Sequence, residues 1–121
     1  MRVIGMISGT SFDGIDAAAA DLELDGDRIL LGLLGGVSAP YPEALRARIA
    51  AALPPGATTF EEVCRLDTAI GQAFADVAAA ANAELCAGSA DLVVAHGQTV
   101  FHWVADGAVR GMPSAVPPAP R

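Results

Sequence analysis

The residues best suited to chemistry lie near the N-terminus, in the stretch Ser8-Gly9-Thr10-Ser11-Phe12-Asp13-Gly14. Its two glycines allow backbone conformations that residues with a Cβ avoid, so successive amide N–H groups can converge on one anion. The adjacent threonine and serine add hydroxyl donors. Asp13 offers the hard oxygen ligand that Mg²⁺ prefers. The stretch therefore predicts a loop that binds phosphate and magnesium.

This stretch departs from the two common nucleotide-binding fingerprints. Ile15 and Asp16 follow Gly14 where a lysine-anchored phosphate loop carries Lys and Ser or Thr, and the chain contains no lysine. The pattern G-x-G-x-x-G is not matched either. On spacing alone a second interpretation stays open, namely a β-hairpin whose turn is polar because most turns are polar.

A second polar cluster, His96-Gly97-Gln98-Thr99, follows the apolar run Asp91–Ala95. The apolar run predicts a strand in the middle of a sheet. Open α/β sheets bind ligands just beyond the carboxyl ends of such strands. The three polar side chains provide donors and acceptors suited to sugar hydroxyls and an acetamido group, and the glycine allows close backbone approach. The cluster predicts a binding site for a polar small molecule.

Three other polar or aromatic residues, His102, Trp103 and Asp67, allow more than one interpretation. A metal pair of His96 and His102 would need further ligands that the sequence does not supply, so zinc is not predicted. Trp103 either stacks on a sugar ring or covers the end of the strand. Asp67 lies at the edge of an apolar helix face, where it either caps a neighbouring backbone or supports the phosphate loop.

Three strands are predicted around the first cluster. Arg2–Ile7 enters the loop, Ile15–Leu24 returns from it, and Arg28–Leu34 follows a two-residue hairpin turn at Asp25-Gly26. Alanines at positions 17–20 leave room for close packing. The chain therefore opens as an antiparallel meander of three strands.

Two helices are predicted before the strand at Asp91–Ala95. The first is a short amphipathic helix with Pro42 in its first turn. The second begins at a capping box, with Thr59 as the cap and Glu62 three residues later. The apolar face of the first helix consists of Leu45, Ile49 and Leu53. The apolar face of the second consists of Val63, Leu66, Ile70, Phe74, Val77, Ala81 and Leu85.

Composition limits the classes of partner. The chain of 121 residues is 53% hydrophobic and carries a net charge of −7, which disfavours nucleic acids and anionic membranes as partners. No run approaches the roughly 18 apolar residues of a membrane span, and no signal peptide is evident. Cys64 and Cys86 belong to one predicted helix, which holds them roughly 33 Å apart at about 1.5 Å per residue. They are expected to be reduced thiols in a cytoplasmic protein.

Three segments together resemble one family. SGTSFDGID at residues 8–16 resembles the phosphate loop of the anhydro-N-acetylmuramic acid kinases, which belong to the sugar kinase/actin-like ATPase superfamily. VVAHGQTVFHW at residues 93–103 resembles the second signature of that family, and RLDTAIGQAFADV at residues 65–77 a third and weaker one. They occur in the family's order, and the resemblance covers residues 2–110. It implies an α/β, ribonuclease H-like/actin-like ATPase lobe.

The resemblance also implies a reaction and its site. The enzymes use ATP and Mg²⁺ to open 1,6-anhydro-N-acetylmuramic acid and phosphorylate O6, as part of peptidoglycan turnover. Asp13 would approach Mg²⁺ directly or through water, and the catalytic aspartate base would lie beyond residue 121. A full-length relative would form a homodimer. The implied ATP-binding residues are Gly9, Thr10, Ser11, Phe12, Asp13, Gly14, Ile15 and Asp16, and the implied substrate-binding residues are His96, Gly97, Gln98 and Thr99.

The resemblance stops near residue 110, and residues 111–121 read as a proline-rich tail outside the family pattern. We therefore expect a truncated lobe that is inactive by itself. Two alternatives stay open: a non-catalytic lobe that binds phosphate or sugar, and an inert chain without a ligand. Within the enzymes, another kinase of the same superfamily is the nearest competitor, and the HGQT segment argues against it.

Overall fold

The computed structural model describes residues 1–105 and 107–114, with the side chains of residues 103–105 and 108–114 outside the description. The described part contains five strands and two helices. In chain order these are β1 (Arg2–Ser8), β2 (Gly14–Asp25), β3 (Arg28–Pro40), α1 (Glu43–Ala52), α2 (Phe60–Cys86), β4 (Leu92–Ala105) and β5 (Ala108–Ser114).

The strands form one mixed sheet in the order β3-β2-β1-β4-β5. β1 pairs with β2, and β2 with β3, both antiparallel, which confirms the predicted meander. β4 lies parallel to β1, with Ile4 opposite Val93, and β5 returns antiparallel to β4. Two predicted strands are longer than expected: β3 continues to Pro40 and β4 to Ala105. The hairpin turn between β2 and β3 is Gly26-Asp27, one residue later than predicted.

The core lies between one face of the sheet and the two helices. β1 and β2 alternate buried and exposed residues, as a strand with one covered face must. Ala17 and Ala19 are buried where α2 crosses β2, so their small side chains permit the close packing that the sequence suggested. The buried apolar residues are Ile4, Met6, Ile15, Ala17, Ala19, Tyr41, Leu45, Ile49, Leu66, Ile70, Phe74, Val77, Ala81 and Cys86.

The helix ends agree with the predicted signals in part. Thr59 caps α2, and its hydroxyl accepts from the Glu62 amide at 3.1 Å. The Glu62 carboxylate does not return to the cap, because it pairs with Arg48 of α1 at 2.9 Å. Pro42 is the N-cap of α1, with an extended ψ of 135°, and therefore stands before the first turn that the sequence analysis assigned to it. α2 ends at Cys86, and its C-cap residue Ala87 lies in the left-handed region.

Arg2 connects the start of β1 to β2 and to the segment before β4. Its guanidinium donates to both carboxylate oxygens of Asp21 at 2.8 and 2.9 Å and to Ser89 Oγ at 2.9 Å. Its amide donates to Asp91 Oδ2 at 2.7 Å, and the Asp91 amide donates to the Arg2 carbonyl at 2.8 Å. These contacts lie at the start of the parallel pairing of β1 and β4, on which the candidate site depends.

The sheet face opposite α2 exposes apolar side chains along its outer hairpin. Leu24 is 79% exposed and Leu33 70%, and Ile29 and Leu31 lie between them on the same face. The described residues contain no helix on this side, so this apolar face has no cover within the described part of the chain.

Part of the predicted C-terminal tail belongs to the sheet. Residues 111–114 are the end of β5, where they pair with β4. The rest of the predicted tail, residues 115–121, lies outside the described residues.

Candidate functional site

The loop between β1 and β2 is a tight turn stabilised by its own backbone. The Phe12 amide donates to the Gly9 carbonyl at 3.0 Å, and Phe12 has a φ of 46°. The sequence analysis assigned the unusual backbone conformations to Gly9 and Gly14, but neither has a positive φ. The residue in the left-handed region is Phe12, and such a conformation in a bulky non-glycine residue is uncommon.

Gly14 is required for a different reason. A Cβ at this position would lie 2.4 Å from the Ala39 carbonyl oxygen and 3.0 Å from Pro40 Cα. β3 therefore passes against the end of the loop at a distance that only glycine permits. The end of β3, which the sequence analysis did not recognise as a strand, forms one wall of the loop.

A buried polar network connects the loop to β4. The Ser8 hydroxyl lies 2.6 Å from Gln98 Oε1 and 2.7 Å from the Gly14 carbonyl oxygen. Tyr41 donates its hydroxyl to Gln98 Oε1 at 3.2 Å, and Gln98 Nε2 donates to the Gly9 carbonyl at 3.0 Å. Burial raises the pKa of the Tyr41 phenol, partly offset by the nearby Ser8 hydroxyl, so the phenol stays protonated and can donate.

Asp13 points out of the loop and pairs with Arg46 of α1. The distance from Arg46 Nη2 to Asp13 Oδ1 is 3.1 Å, and the Asp13 side chain is 71% exposed. The same guanidinium lies over the Phe12 ring, 5.5 Å from its centroid. The sequence analysis missed Arg46, because nothing in the spacing of an exposed helical arginine indicates which loop it faces.

Two cavities open on either side of Asp16. A cavity of about 360 Å³ is bounded by the loop and the end of β3 and includes Ser11 and Asp13 in its lining. A second, of about 690 Å³, lies on the sheet face opposite α2 and reaches His96. Asp16 and Ser38 line both cavities and are joined by a hydrogen bond of 2.5 Å between the serine hydroxyl and the carboxylate. The loop and His96 thus border two neighbouring cavities that share Asp16 and Ser38 in their linings.

The quartet at residues 96–99 lies inside β4, not beyond the end of a strand as predicted. β4 continues past the last regular pairing with β1, and the register shifts so that Ser8 is opposite Gln98. Gly97 occupies the left-handed region with a φ of 81°, which accounts for a glycine at this irregularity. The quartet is still adjacent to the loop, because Ser8, the last residue of β1, is opposite Gln98.

The four residues of the quartet differ in accessibility. His96 is exposed and Thr99 is half-buried, whereas Gly97 and Gln98 are buried. The Gln98 carboxamide has hydrogen-bond partners within the protein for both of its atoms, including the Thr99 carbonyl at 3.1 Å from Nε2. Its side chain therefore presents no hydrogen-bonding group to solvent, although the sequence analysis expected it to face a sugar.

The remaining sequence candidates lie away from the loop or outside the description. Asp67 is exposed on α2 and lines an apolar groove of about 610 Å³ between the helices and β4. His102 is exposed, and the side chain of Trp103 is not described. Among the described residues, no group of three or more His, Cys, Asp or Glu side chains is arranged to hold a metal ion. In the same part of the chain, neither helix has the length and apolarity of a membrane span.

The mixed sheet with helices on one face and a glycine- and hydroxyl-containing loop after β1 define an α/β lobe of the actin-like ATPase type. The family model described as anhydro-N-acetylmuramic acid kinase matches residues 1–113. The chain therefore belongs to the anhydro-N-acetylmuramic acid kinase family, as the three sequence segments implied.

Curated relatives with that name are similar to most of this chain. The protein from Streptomyces coelicolor is 64% identical over 111 residues and the one from Rhodococcus erythropolis 63% over 111 residues, in both cases 92% of this chain. A more distant relative from Salinibacter ruber is 40% identical over 83% of this chain. The chain spans about 28% of the length of the first two relatives and 26% of the third.

Proposed function

We propose that this chain provides the phosphate-binding lobe of an ATP-dependent kinase that opens 1,6-anhydro-N-acetylmuramic acid and phosphorylates O6 during peptidoglycan turnover. The observation that carries the proposal is the loop at residues 8–14, which is anchored at both ends by the buried Ser8–Gln98 contact. The hydroxyl-bearing residues Thr10 and Ser11 and the loop's one acidic residue, Asp13, stay exposed at the surface. Membership of the kinase family supports the same reaction.

The proposed nucleotide contacts come from residues 9–16. Phosphoryl transfer requires charge neutralisation and positioning more than covalent participation by the protein. Amides of the loop and the hydroxyls of Thr10 and Ser11 would donate to phosphate oxygens, next to the cavity of about 360 Å³ that Ser11 lines. This arrangement suits a chain without lysine, because the donors are neutral.

The donor set of the loop fits a magnesium ion carried by the nucleotide. Mg²⁺ is commonly bound by one or two carboxylates, with water and phosphate oxygens as the other ligands. Asp13 is an exposed carboxylate beside two hydroxyl-bearing residues, so it would hold the ion directly or through water. When bound, the ion would neutralise charge on the phosphates.

The proposed sugar contacts come from three residues of the quartet, His96, Gly97 and Thr99. His96 and Thr99 are the two members of the quartet with accessible side chains, and His96 borders the cavity of about 690 Å³. Their imidazole and hydroxyl groups can orient sugar hydroxyls and the acetamido group. Gly97 would permit close approach of the backbone.

In the proposed reaction, water adds to C1 of the anhydro sugar and the bond between C1 and O6 breaks. O6 then bonds to the γ-phosphorus as the bond to the β-γ bridging oxygen breaks, releasing ADP. The base that accepts the proton of water is expected from the part of the family sequence that follows residue 121.

We propose a cytoplasmic location, consistent with an exposed Cys64 and a buried Cys86 that are both unpaired by disulfide.

The proposal can be tested with a chimera that joins residues 1–110 to the remaining portion of the Streptomyces coelicolor relative. We expect Mg²⁺-dependent conversion of ATP and the anhydro sugar to ADP and the sugar 6-phosphate. Mass spectrometry measures the products. Asp13→Ala should lower kcat/KM about 100-fold or more, since removing one preorganised electrostatic contact commonly costs that much. Asp25→Ala, at the exposed end of β2, is the matched control and should retain activity.

Two results would contradict the proposal. Undiminished phosphorylation by the Asp13→Ala chimera would remove this residue from its assigned role. Binding of magnesium-ATP or of the anhydro sugar by an intact chimera that never forms product would instead support a non-catalytic binding lobe.

A further inference from the structure

We propose that Gln98 is a positioning residue that holds the phosphate loop from β4, and that it does not contact the sugar. This inference rests on the proposed function for its kinetic consequences, but its structural part does not. It concerns the network formed by Ser8, Tyr41 and Gln98, in which all three side chains are buried.

The bonds of Gln98 are directed at the loop and its supports. Nε2 donates to the carbonyl of Gly9, the same oxygen that accepts from the Phe12 amide and closes the turn. Oε1 accepts from Ser8, the last residue of β1, and from Tyr41, which precedes α1. One carboxamide therefore joins the loop, β1 and the segment before α1, while its own backbone belongs to β4.

The orientation of the carboxamide is determined by its neighbours. If the amide were rotated by 180°, Oε1 would face the carbonyl oxygens of Gly9 and Thr99, and neither can donate a hydrogen bond. In the orientation found, both carbonyls accept a hydrogen bond from Nε2, and both hydroxyls have Oε1 as an acceptor. A carboxylate or an apolar side chain could not satisfy this set at neutral pH.

Ser8 brings the opposite end of the loop into the same network. Its hydroxyl has one proton and two acceptors, Gln98 Oε1 at 2.6 Å and the Gly14 carbonyl at 2.7 Å. The proton is shared between a bond to β4 and a bond to the first residue of β2. Gln98 thus restrains Gly9 directly and Gly14 through Ser8, which brackets all residues that carry the proposed phosphate donors.

The two possible roles of Gln98 predict different kinetics. If Gln98 contacted the sugar, its substitution would chiefly raise the KM for the sugar. A residue that positions the phosphate loop would raise the KM for ATP or lower kcat, and would leave the KM for the sugar nearly unchanged. Loss of a buried hydrogen-bond partner predicts an effect of about 5- to 100-fold on kcat/KM for ATP.

The experiment uses Gln98→Met and Gln98→Glu in the chimera and in the 121-residue chain, with Tyr41→Phe as a milder variant that keeps both Nε2 bonds. In the chimera, steady-state kinetics gives the KM for each substrate. In the 121-residue chain, hydrogen exchange of the Phe12 amide reports on the turn without any need for activity. We expect faster exchange in both Gln98 variants and a smaller increase in Tyr41→Phe.

The Gln98→Glu variant adds a pH test. Burial raises the pKa of a carboxyl group at this site, and only its protonated form can donate to the Gly9 carbonyl. The rapid exchange of the Phe12 amide, corrected for the intrinsic pH dependence of exchange, should therefore diminish as the pH falls. Gln98→Met should show no such recovery, because it has no group to protonate.

The proposal would be overturned if Gln98→Met left the exchange of Phe12 unchanged, or if it raised the KM for the sugar alone. If Gln98→Met does not fold, unchanged exchange in Tyr41→Phe together with no pH-dependent recovery in Gln98→Glu would overturn it. A chimera without kinase activity would count against the proposed function only, since the exchange measurements still decide whether Gln98 holds the loop.

Discussion

Asp13 and Arg46, 33 residues apart, form an ion pair of 3.1 Å at the mouth of the β1–β2 loop, on the carboxylate that is proposed to approach magnesium. Both side chains are at least half exposed, so the pair contributes little to folding stability. Arg46 would instead compete with magnesium for Asp13, because its guanidinium occupies an oxygen of the one carboxylate within the loop.

We expect Arg46→Gln in the chimera to lower the Mg²⁺ concentration for half-maximal activity by about 1.4- to 5-fold, the range that corresponds to an exposed ion pair of about 0.2–1 kcal/mol. A titration of activity with Mg²⁺ at saturating ATP measures it. Arg65→Gln is the control, because Arg65 pairs with Glu61 on the exposed side of α2. A higher Mg²⁺ requirement in Arg46→Gln would mean that the guanidinium assists phosphate binding more than it competes with the ion.

Gly14→Ala should destabilise the chain and displace the loop. The new Cβ would meet the Ala39 carbonyl, a backbone atom that cannot rotate away, and overpacking of this kind costs about 1–3 kcal/mol. Urea unfolding monitored by circular dichroism gives the free energy of unfolding. Gly5→Ala on β1 is the matched control, since a Cβ there has no atom within 4 Å. Equal stability of the two variants would show that β3 does not pass as close to Gly14 as described.

Protonation of the Asp21 carboxylate should make the folding stability depend on pH in the acidic range. Hydrogen bonding to Arg2, followed by the charge of Arg2, lowers the pKa of this carboxyl below its ordinary value of 3.8. A carboxyl group with a lowered pKa in the folded state contributes stability above the unfolded pKa, and this contribution is lost as the pH falls through the folded pKa. Asp21→Asn should therefore have a lower Tm than the parent chain at pH 7.

The difference in Tm between Asp21→Asn and the parent should shrink as the pH is lowered below about 4. Asp25→Asn, at the exposed end of the same strand, controls for the loss of one negative charge from a chain of net charge −7. A difference that stays constant from pH 7 to pH 3 would be incompatible with a carboxylate stabilised by Arg2.

Elements with strong local signals were predictable from the sequence. The meander of β1, β2 and β3, the Thr59 cap and the apolar face of α2 all follow from periodicity and from short-range hydrogen bonding, which neighbouring residues determine. The same was not true of β4, which extends through the glycine of the quartet. A glycine usually ends a predicted strand, but pairing with β5 along residues 98–105 maintains this one.

The residue types of the loop and the quartet, and the family to which they belong, were evident in the order of the amino acids, because chemistry and spacing are local properties. Tertiary structure decided how those residues divide their roles. Gln98 lies 90 positions from Ser8, and only the parallel register of β1 and β4 brings the two within 2.6 Å. Arg46 faces Asp13 and Ala39 excludes a side chain at Gly14 for the same reason: a contact between distant segments depends on how whole elements pack, which no short stretch of sequence encodes.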